Sequence, residues 1–367
     1  MDKLVLIFYL LLPVLLFAGA KITKKGEWND QVLSFDHTKA FLGFASIIII
    51  FHHASQRTCA PWLPQFRIHH GLDVFVYMGY LCVAAFFLCS GYGMYTASRK
   101  EGFFKSFFKV RILPILLPAL IMWVVFFISE LVMGVKIGFP IIINVYSYIW
   151  YIPAIIYLYF CFYNSFGRIK DEKTASIVMW LGIVFYIIVC VIFSPGSWWY
   201  NTVHLFGVGV GLARHKEKRM EEYKKGYALK LILFALLFII PFAFASYYYE
   251  ILNLVGIKSN QLVNFVRFIS EPVLQMISAY AFAILVLLIG LKIRIGNPVL
   301  KFLGGFTLET YLVHPLFIQA FSFAFVMDNA KPVLYIQNQF LYILATIILS
   351  LPIAFGLNRL MRLLKKK

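Results

Sequence analysis

Residues Ser46 to Arg57 read "SIIIIFHHASQR". Four consecutive isoleucines and a phenylalanine run straight into two adjacent imidazoles, then a glutamine and an arginine. The solvent those imidazoles meet depends on what the apolar run is, and the rest of the chain decides that. Of 367 residues, 62% are hydrophobic and 14% charged, and the mean hydropathy is +0.82. A soluble domain averages about 45–50% apolar and about 25% charged. No water-soluble fold of this length hides so much apolar surface, so the run is read as part of a membrane-spanning helix. Helices are favoured because an isolated strand leaves its backbone polar groups unpaired in lipid.

Working outward from this span, apolar stretches long enough to cross a bilayer recur about eleven times. They lie near 3–20, 35–54, 72–96, 112–133, 146–166, 175–193, 198–213, 229–249, 265–291, 302–326 and 334–357. The expected fold class is all-α: a polytopic membrane helix bundle, with no gap long enough for a second folded domain and no internal repeat. The net charge of +18 sits in short segments between the spans rather than as a patch on a soluble domain. It therefore points to a membrane topology and not to nucleic acid. The five cysteines include no CxxC pair and no ligand spacing with histidine, so neither a disulfide framework nor a metal site is expected.

The stretch "MDKLVLIFYLLLPVLLFAGA" admits two readings, a cleaved signal peptide or an uncleaved first helix. With the amino terminus outside, the inner segments hold roughly 26 of the 34 Lys and Arg, against about seven outside. An uncleaved helix, an outer amino terminus and a cytoplasmic carboxyl terminus are expected on that basis. The segment "FFKSFFKVRILP" alternates aromatics and cations. It suits an interfacial helix, either as a lipid-anchoring elbow or with Lys109 and Arg111 binding the phosphates of a nucleotide-like donor.

The second span carries Asp36, His37 and Lys39 near its inner end and His52 and His53 about 20 Å further along. Ionisable groups within spans usually face a polar cavity or a partner, and an imidazole suits a general base. The plainer alternative is a pair of interfacial histidines satisfied by water. Ser90-Gly91-Tyr92 lies in a span rich in small residues, "GYLCVAAFFLCSGYGMY", which favours close helix packing. "FTLETYLVHPLFIQ" sets Glu309, Tyr311 and His314 within about three turns. Glu309 reads as a buried acid with a partner, and His314 as a ring serving a carbonyl freed by Pro315 or as a site residue. The "WWYNTVHLFGVGVGL" stretch places aromatics at the outer interface, as an anchoring belt or as stacking platforms for a sugar, with His204 one turn inside.

Taken in order, six stretches resemble membrane-bound acyltransferase family 3, whose members O-acylate cell-surface polysaccharides and related acceptors. They are "SFDHTKAFLGFASIIIIFHH", "GYLCVAAFFLCSGYGMY", "KSFFKVRILPILLP", "IWYIPAIIYLYF", "WWYNTVHLFGVGV" and "IGNPVLKFLGGFTLETYLVHPL". The likeness covers about 33–357. It implies a ten-helix core preceded by an extra helix over 1–20, a membrane domain over 33–357 and a basic cytoplasmic tail over 358–367. It also implies an integral O-acyltransferase of the plasma membrane. The enzyme would move an acyl group, most often acetyl, from cytosolic acyl-CoA as co-substrate to a hydroxyl of an extracytoplasmic glycan or lipid-linked sugar.

In this reading His53, with His52 beside it, is the catalytic base. Lys39, Lys109 and Arg111 hold the donor phosphates. Asp36 holds Lys39 or caps its helix, and Ser90, Tyr92, Glu309, Tyr311 and His314 support the site. The family's arginine, ten residues and then histidine falls here on Leu42, with Lys39 one turn earlier. In the elbow, Phe108 stands where the family's Arg-x-x-Arg has its first arginine. A transporter or flippase of an envelope precursor, or an inactive scaffold, is the rival reading. Homo-oligomerisation is left open.

Overall fold

A computed structural model describes residues 3–61, 70–132, 150–193, 195–254, 256, 271–322 and 334–366. Thirteen α-helices lie among these residues. They are α1 (Leu6–Phe17), α2 (Phe35–Thr58), α3 (Gly79–Ser98), α4 (Leu113–Val132), α5 (Tyr151–Phe166), α6 (Glu172–Phe193) and α7 (His204–Arg214). The rest are α8 (Lys216–Lys224), α9 (Tyr227–Leu254), α10 (Glu271–Gly290), α11 (Pro298–Leu303), α12 (Thr307–Phe321) and α13 (Gln339–Lys366). Two short strands, β1 (Lys21–Ile22) and β2 (Ile293–Arg294), pair antiparallel at the end of the bundle where basic residues gather.

The all-α polytopic reading holds. Seven helices are long and apolar enough to cross a membrane. The other four expected spans correspond to the shorter helices α1, α5, α7 and α12. The stretch before α5 and the stretch after α12 lie outside the described residues. Two expected spans are broken for local reasons. The run 198–213 opens as a single 3-10 turn, Ser197–Trp199, and becomes α7 only at His204. The run 302–326 divides at Gly304-Gly305 into α11 and α12, because the chain of α2 presses on that point. A Cβ on Gly304 would overlap the carbonyl of Lys39, and one on Gly43 the carbonyl of Leu300. The stretch 358–366 continues α13.

The bundle sorts its apolar surface by what each helix touches. The outward faces of α6 and α9 are bare hydrocarbon, with Phe193 79% and Leu229 72% exposed. Only a lipid environment makes such faces stable. The centre is held instead by backbone-to-backbone contact. A Cβ on Gly91 of α3 would overlap the carbonyl of Phe206 on α7, and one on Gly209 would overlap that of Leu88. Small residues at this crossing let dispersion act over short distances where no hydrophobic force separates helix from lipid. The small-residue character of the Ser90-Gly91-Tyr92 stretch is thus spent partly on packing, through Gly91.

At the start of α2, Ser34 caps the helix by accepting from the His37 amide at 3.3 Å. Asp36 in that first turn ion-pairs with Lys301 of α11 at 2.9 Å. This corrects the expectation that Asp36 holds Lys39 or caps the helix. Lys301 comes within reach because α11 lies against this turn, a proximity the linear sequence does not show.

Candidate functional site

The long face of α2 organises the site. Lys39, Leu42 and Ile49 line one cavity of about 710 Å³, and His53 lies one turn beyond Ile49 on the same stripe. The opposite wall is α5, whose Tyr151, Ile155 and Tyr159 face the cavity at i, i+4 and i+8. Ser90 and Tyr92 of α3 and Tyr311 of α12 add polar groups to the lining, with Thr38, Thr96 and Thr307 nearer the ends of their helices. Ser90 faces the hydroxyls of Tyr151 and Tyr159. The volume falls in the range of pockets that hold a small molecule.

Charge enters at one end only. Lys39, Lys100 and Arg111 line the cavity, and no acidic side chain among the described residues does. Arg111 is placed by a local irregularity: Phe108–Ile112 forms a π-helical turn running into α4. Such turns shift the register of side chains and recur at functional sites. Here the register turns Arg111 inward and leaves Lys109 exposed, outside the cavity lining. The Arg111 guanidinium lies 5.2 Å from the Phe103 ring centroid, and its Nε is buried without a hydrogen-bond partner among the described residues. The elbow therefore divides its labour. The exposed Phe108 and Val110 suit lipid contact, and Arg111 is a cavity cation.

Away from the cations the cavity reaches Tyr311, whose ring packs on Tyr151 at 5.6 Å and stands 6.2 Å from the ring of His314. His314 in turn lies 5.1 Å from His53, ring to ring. The two halves of the bundle thus bring the imidazoles of α2 and α12 together. His314 Nδ1 lies 2.8 Å from the carbonyl oxygen of Thr310. A carbonyl only accepts, so Nδ1 carries the proton and Nε2 keeps its lone pair. That Nε2 is fully buried and has no partner among the described residues. Serving a carbonyl and serving the site are therefore compatible roles for His314.

His52 is placed differently. Its ring is wedged against Gly79 so tightly that a Cβ there would overlap it. Its Nδ1 lies 3.0 Å from the Phe75 carbonyl, and it meets His53 edge-on at 4.9 Å. His52 is thus tied to the Phe75 carbonyl, and His53 is the ring that packs on His314 of α12. Glu309, 6% exposed, accepts from Asn358 of α13 at 2.8 Å. It braces α12 against α13. His204 lies on α7, with its Nδ1 buried and unpartnered among the described residues.

Lys100, Tyr151 and Tyr159 are cavity residues that sequence reasoning did not single out. For the two tyrosines the signal was present, as an i, i+4, i+8 stripe on one apolar helix. For Lys100 there was none, since its neighbours read as an ordinary charged loop.

A helical bundle with bare outward faces, a cavity whose charged lining is basic and a pair of imidazoles packed behind its Tyr311 wall is the frame of a multi-pass membrane protein. The family model described as an acyltransferase domain, acyltransferase family 3, matches residues 40–359. The chain belongs to that family and is a membrane acyltransferase. Comparison with curated proteins and with solved structures gives no match.

Proposed function

We propose that this protein is an O-acyltransferase that takes an acyl group, acetyl in the simplest case, from cytosolic acyl-CoA. It transfers that group to a hydroxyl of an extracytoplasmic glycan or lipid-linked sugar. The observation that supports this reading is that Lys39, Lys100, Arg111 and Tyr311 line one cavity, with the His53–His314 pair packed directly behind Tyr311. The donor's phosphates sit at the cationic mouth, because charge-assisted bonds to phosphate are the strong ones. Its pantetheine arm lies along Leu42, Ser90 and Tyr159, and the thioester reaches Tyr311. With Leu42 in the stripe, donor charge is held at the mouth and not deeper. The basic end of the bundle is then the cytosolic side of the plasma membrane, in line with the distribution of Lys and Arg.

The acceptor hydroxyl approaches from the opposite end. An imidazole Nε2 of the pair takes its proton as its oxygen bonds to the thioester carbonyl carbon. Collapse of the tetrahedral adduct breaks the C–S bond, and the sulfur leaves with that proton as free CoA. The products are the acyl ester and CoA, with no oxidant, reductant or metal required by the balance.

The test is a mass balance on the purified protein in lipid nanodiscs with acetyl-CoA and a soluble oligosaccharide acceptor. One CoA thiol released for each ester formed is the expected result. Movement of the saccharide across the bilayer with the thioester intact would establish the transporter reading instead. Neither event would establish a scaffold.

A further inference from the structure

Helix α1 lies outside the family-matched residues 40–359 and turns most of its surface to lipid, with Leu10, Leu11 and Val14 exposed. Its few inward side chains converge on one place. Tyr9 donates its hydroxyl to the Gly71 carbonyl at 2.8 Å, and its ring lies 5.4 Å from that of Phe75. Phe8 packs edge-on against Phe51 at 4.9 Å and stacks on Phe340 of α13 at 5.0 Å. Phe51 itself meets Phe75 at 5.0 Å. Phe51 immediately precedes His52, and Phe75 supplies the carbonyl to which His52 Nδ1 donates at 3.0 Å.

We infer that α1 is a positioning element for the imidazole pair, with Tyr9 its key residue. Tyr9 ties Gly71 and Phe75, at and just before the short turn Asp73–Tyr77, and Phe8 backs Phe51, the α2 ring on which Phe75 packs. The turn sets the tautomer and rotation of His52, and the edge-on contact of His52 sets His53 against His314. The turn has a second tie of its own, the Gly71 amide donating to the Asp73 carboxylate at 2.8 Å. Tyr9 therefore fastens a segment already closed on itself, and removing its hydroxyl loosens that segment while its ring contacts remain. The general rule is that a reactive imidazole needs its other nitrogen and its ring plane fixed by groups beyond the reacting atoms. Tyr9 acts through Phe75 and His52, and touches neither donor nor acceptor.

This inference rests on reading the His53–His314 pair as the proton-accepting centre, and its test separates the two. The variant is Tyr9→Phe, which keeps the ring against Phe75 and loses only the bond to Gly71. Hydrogen–deuterium exchange at the ring carbon between the two imidazole nitrogens, followed by mass spectrometry, reports the setting of His52 and His53 without any turnover. The exposed-loop residue His215 serves as internal reference. In Tyr9→Phe, exchange at His52 and His53 is expected to be at least about twofold faster with His215 unchanged. In the acyl-transfer assay kcat is expected to fall about five- to tenfold, the free energy of one ordinary hydrogen bond. Donor KM should stay at its wild-type value, the melting temperature should fall by no more than the few degrees that one lost hydrogen bond costs, and the acid limb of the pH–rate profile should move.

Unchanged histidine exchange overturns the inference. So does a larger fall in melting temperature with KM and kcat worsening together, which marks a merely structural contact. If the wild-type protein turns over no thioester, the function reading fails alone, and the exchange measurement still decides whether α1 sets the histidines.

Discussion

His314→Ala is expected to lower turnover by about 10²–10⁴-fold, the usual contribution of a positioned general base, while donor KM stays within about twofold. The expectation rests on an asymmetry within the ring. Nδ1 is committed to the Thr310 carbonyl at 2.8 Å, so the bare lone pair is on Nε2, which has no partner among the described residues. A buried nitrogen left unpaired costs about 1–3 kcal/mol, and a structural histidine would spend that nitrogen on a neighbour. His53→Ala is expected to fall into the same range, and the double variant to be little worse than either single one. Residues that act as a unit lose their whole effect at the first deletion. Steady-state kinetics with acetyl-CoA checks all three. Two full and independent losses that multiply would show that the imidazoles work at separate steps.

The second large effect is at the other end of the cavity. Arg111→Ala is expected to raise donor KM by about 10- to 100-fold, the equivalent of about 1.5–3 kcal/mol for hydrogen bonds to a charged group, with kcat nearly unchanged. Lys109→Ala, two residues away, is expected to change KM by less than about twofold, because its side chain is exposed and does not line the cavity. The contrast isolates the π-helical turn as the cause. In a regular helix the pair would also sit on different faces, but the extra residue in the turn decides which one is carried inward. Titration with a non-hydrolysable acyl-CoA analogue at two salt concentrations checks the charge argument. Affinity should fall with salt in the wild type and fall less steeply in Arg111→Ala, since screening acts on the contact that the variant lacks.

The bundle was readable from hydropathy because lipid makes the same demand on every span, and the seven long helices meet it individually. Two of the shorter ones, 198–213 and 302–326, were read as unbroken. The division at Gly304-Gly305 accommodates the approach of the α2 backbone; the glycine pair marks a break in the sequence, but the contact that requires it is tertiary. For the site, the residue types were legible and the pairings were not. His53 and His314 are separated by most of the chain, and nothing in either span says they meet. Asp36 turned out to serve Lys301 for the same reason. Lys109 and Arg111 could not be told apart, because the π-helical turn that separates them is an irregularity of hydrogen bonding and not of composition. Leu42 is a different case. Its place on the cavity stripe with Lys39 and Ile49 follows directly from helical spacing.

The central claim is that one passage joins the cationic mouth to the imidazole pair. A cryo-EM structure of the protein in nanodiscs with a non-hydrolysable thioether analogue of acetyl-CoA tests it most directly. The account predicts nucleotide phosphates between Lys39, Lys100 and Arg111, the pantetheine arm beside Ser90, and the acetyl carbonyl at Tyr311 facing the ring of His53 or His314. An analogue bound elsewhere, or a cavity filled by lipid with Tyr311 closing the route in the presence of saturating ligand, would contradict it.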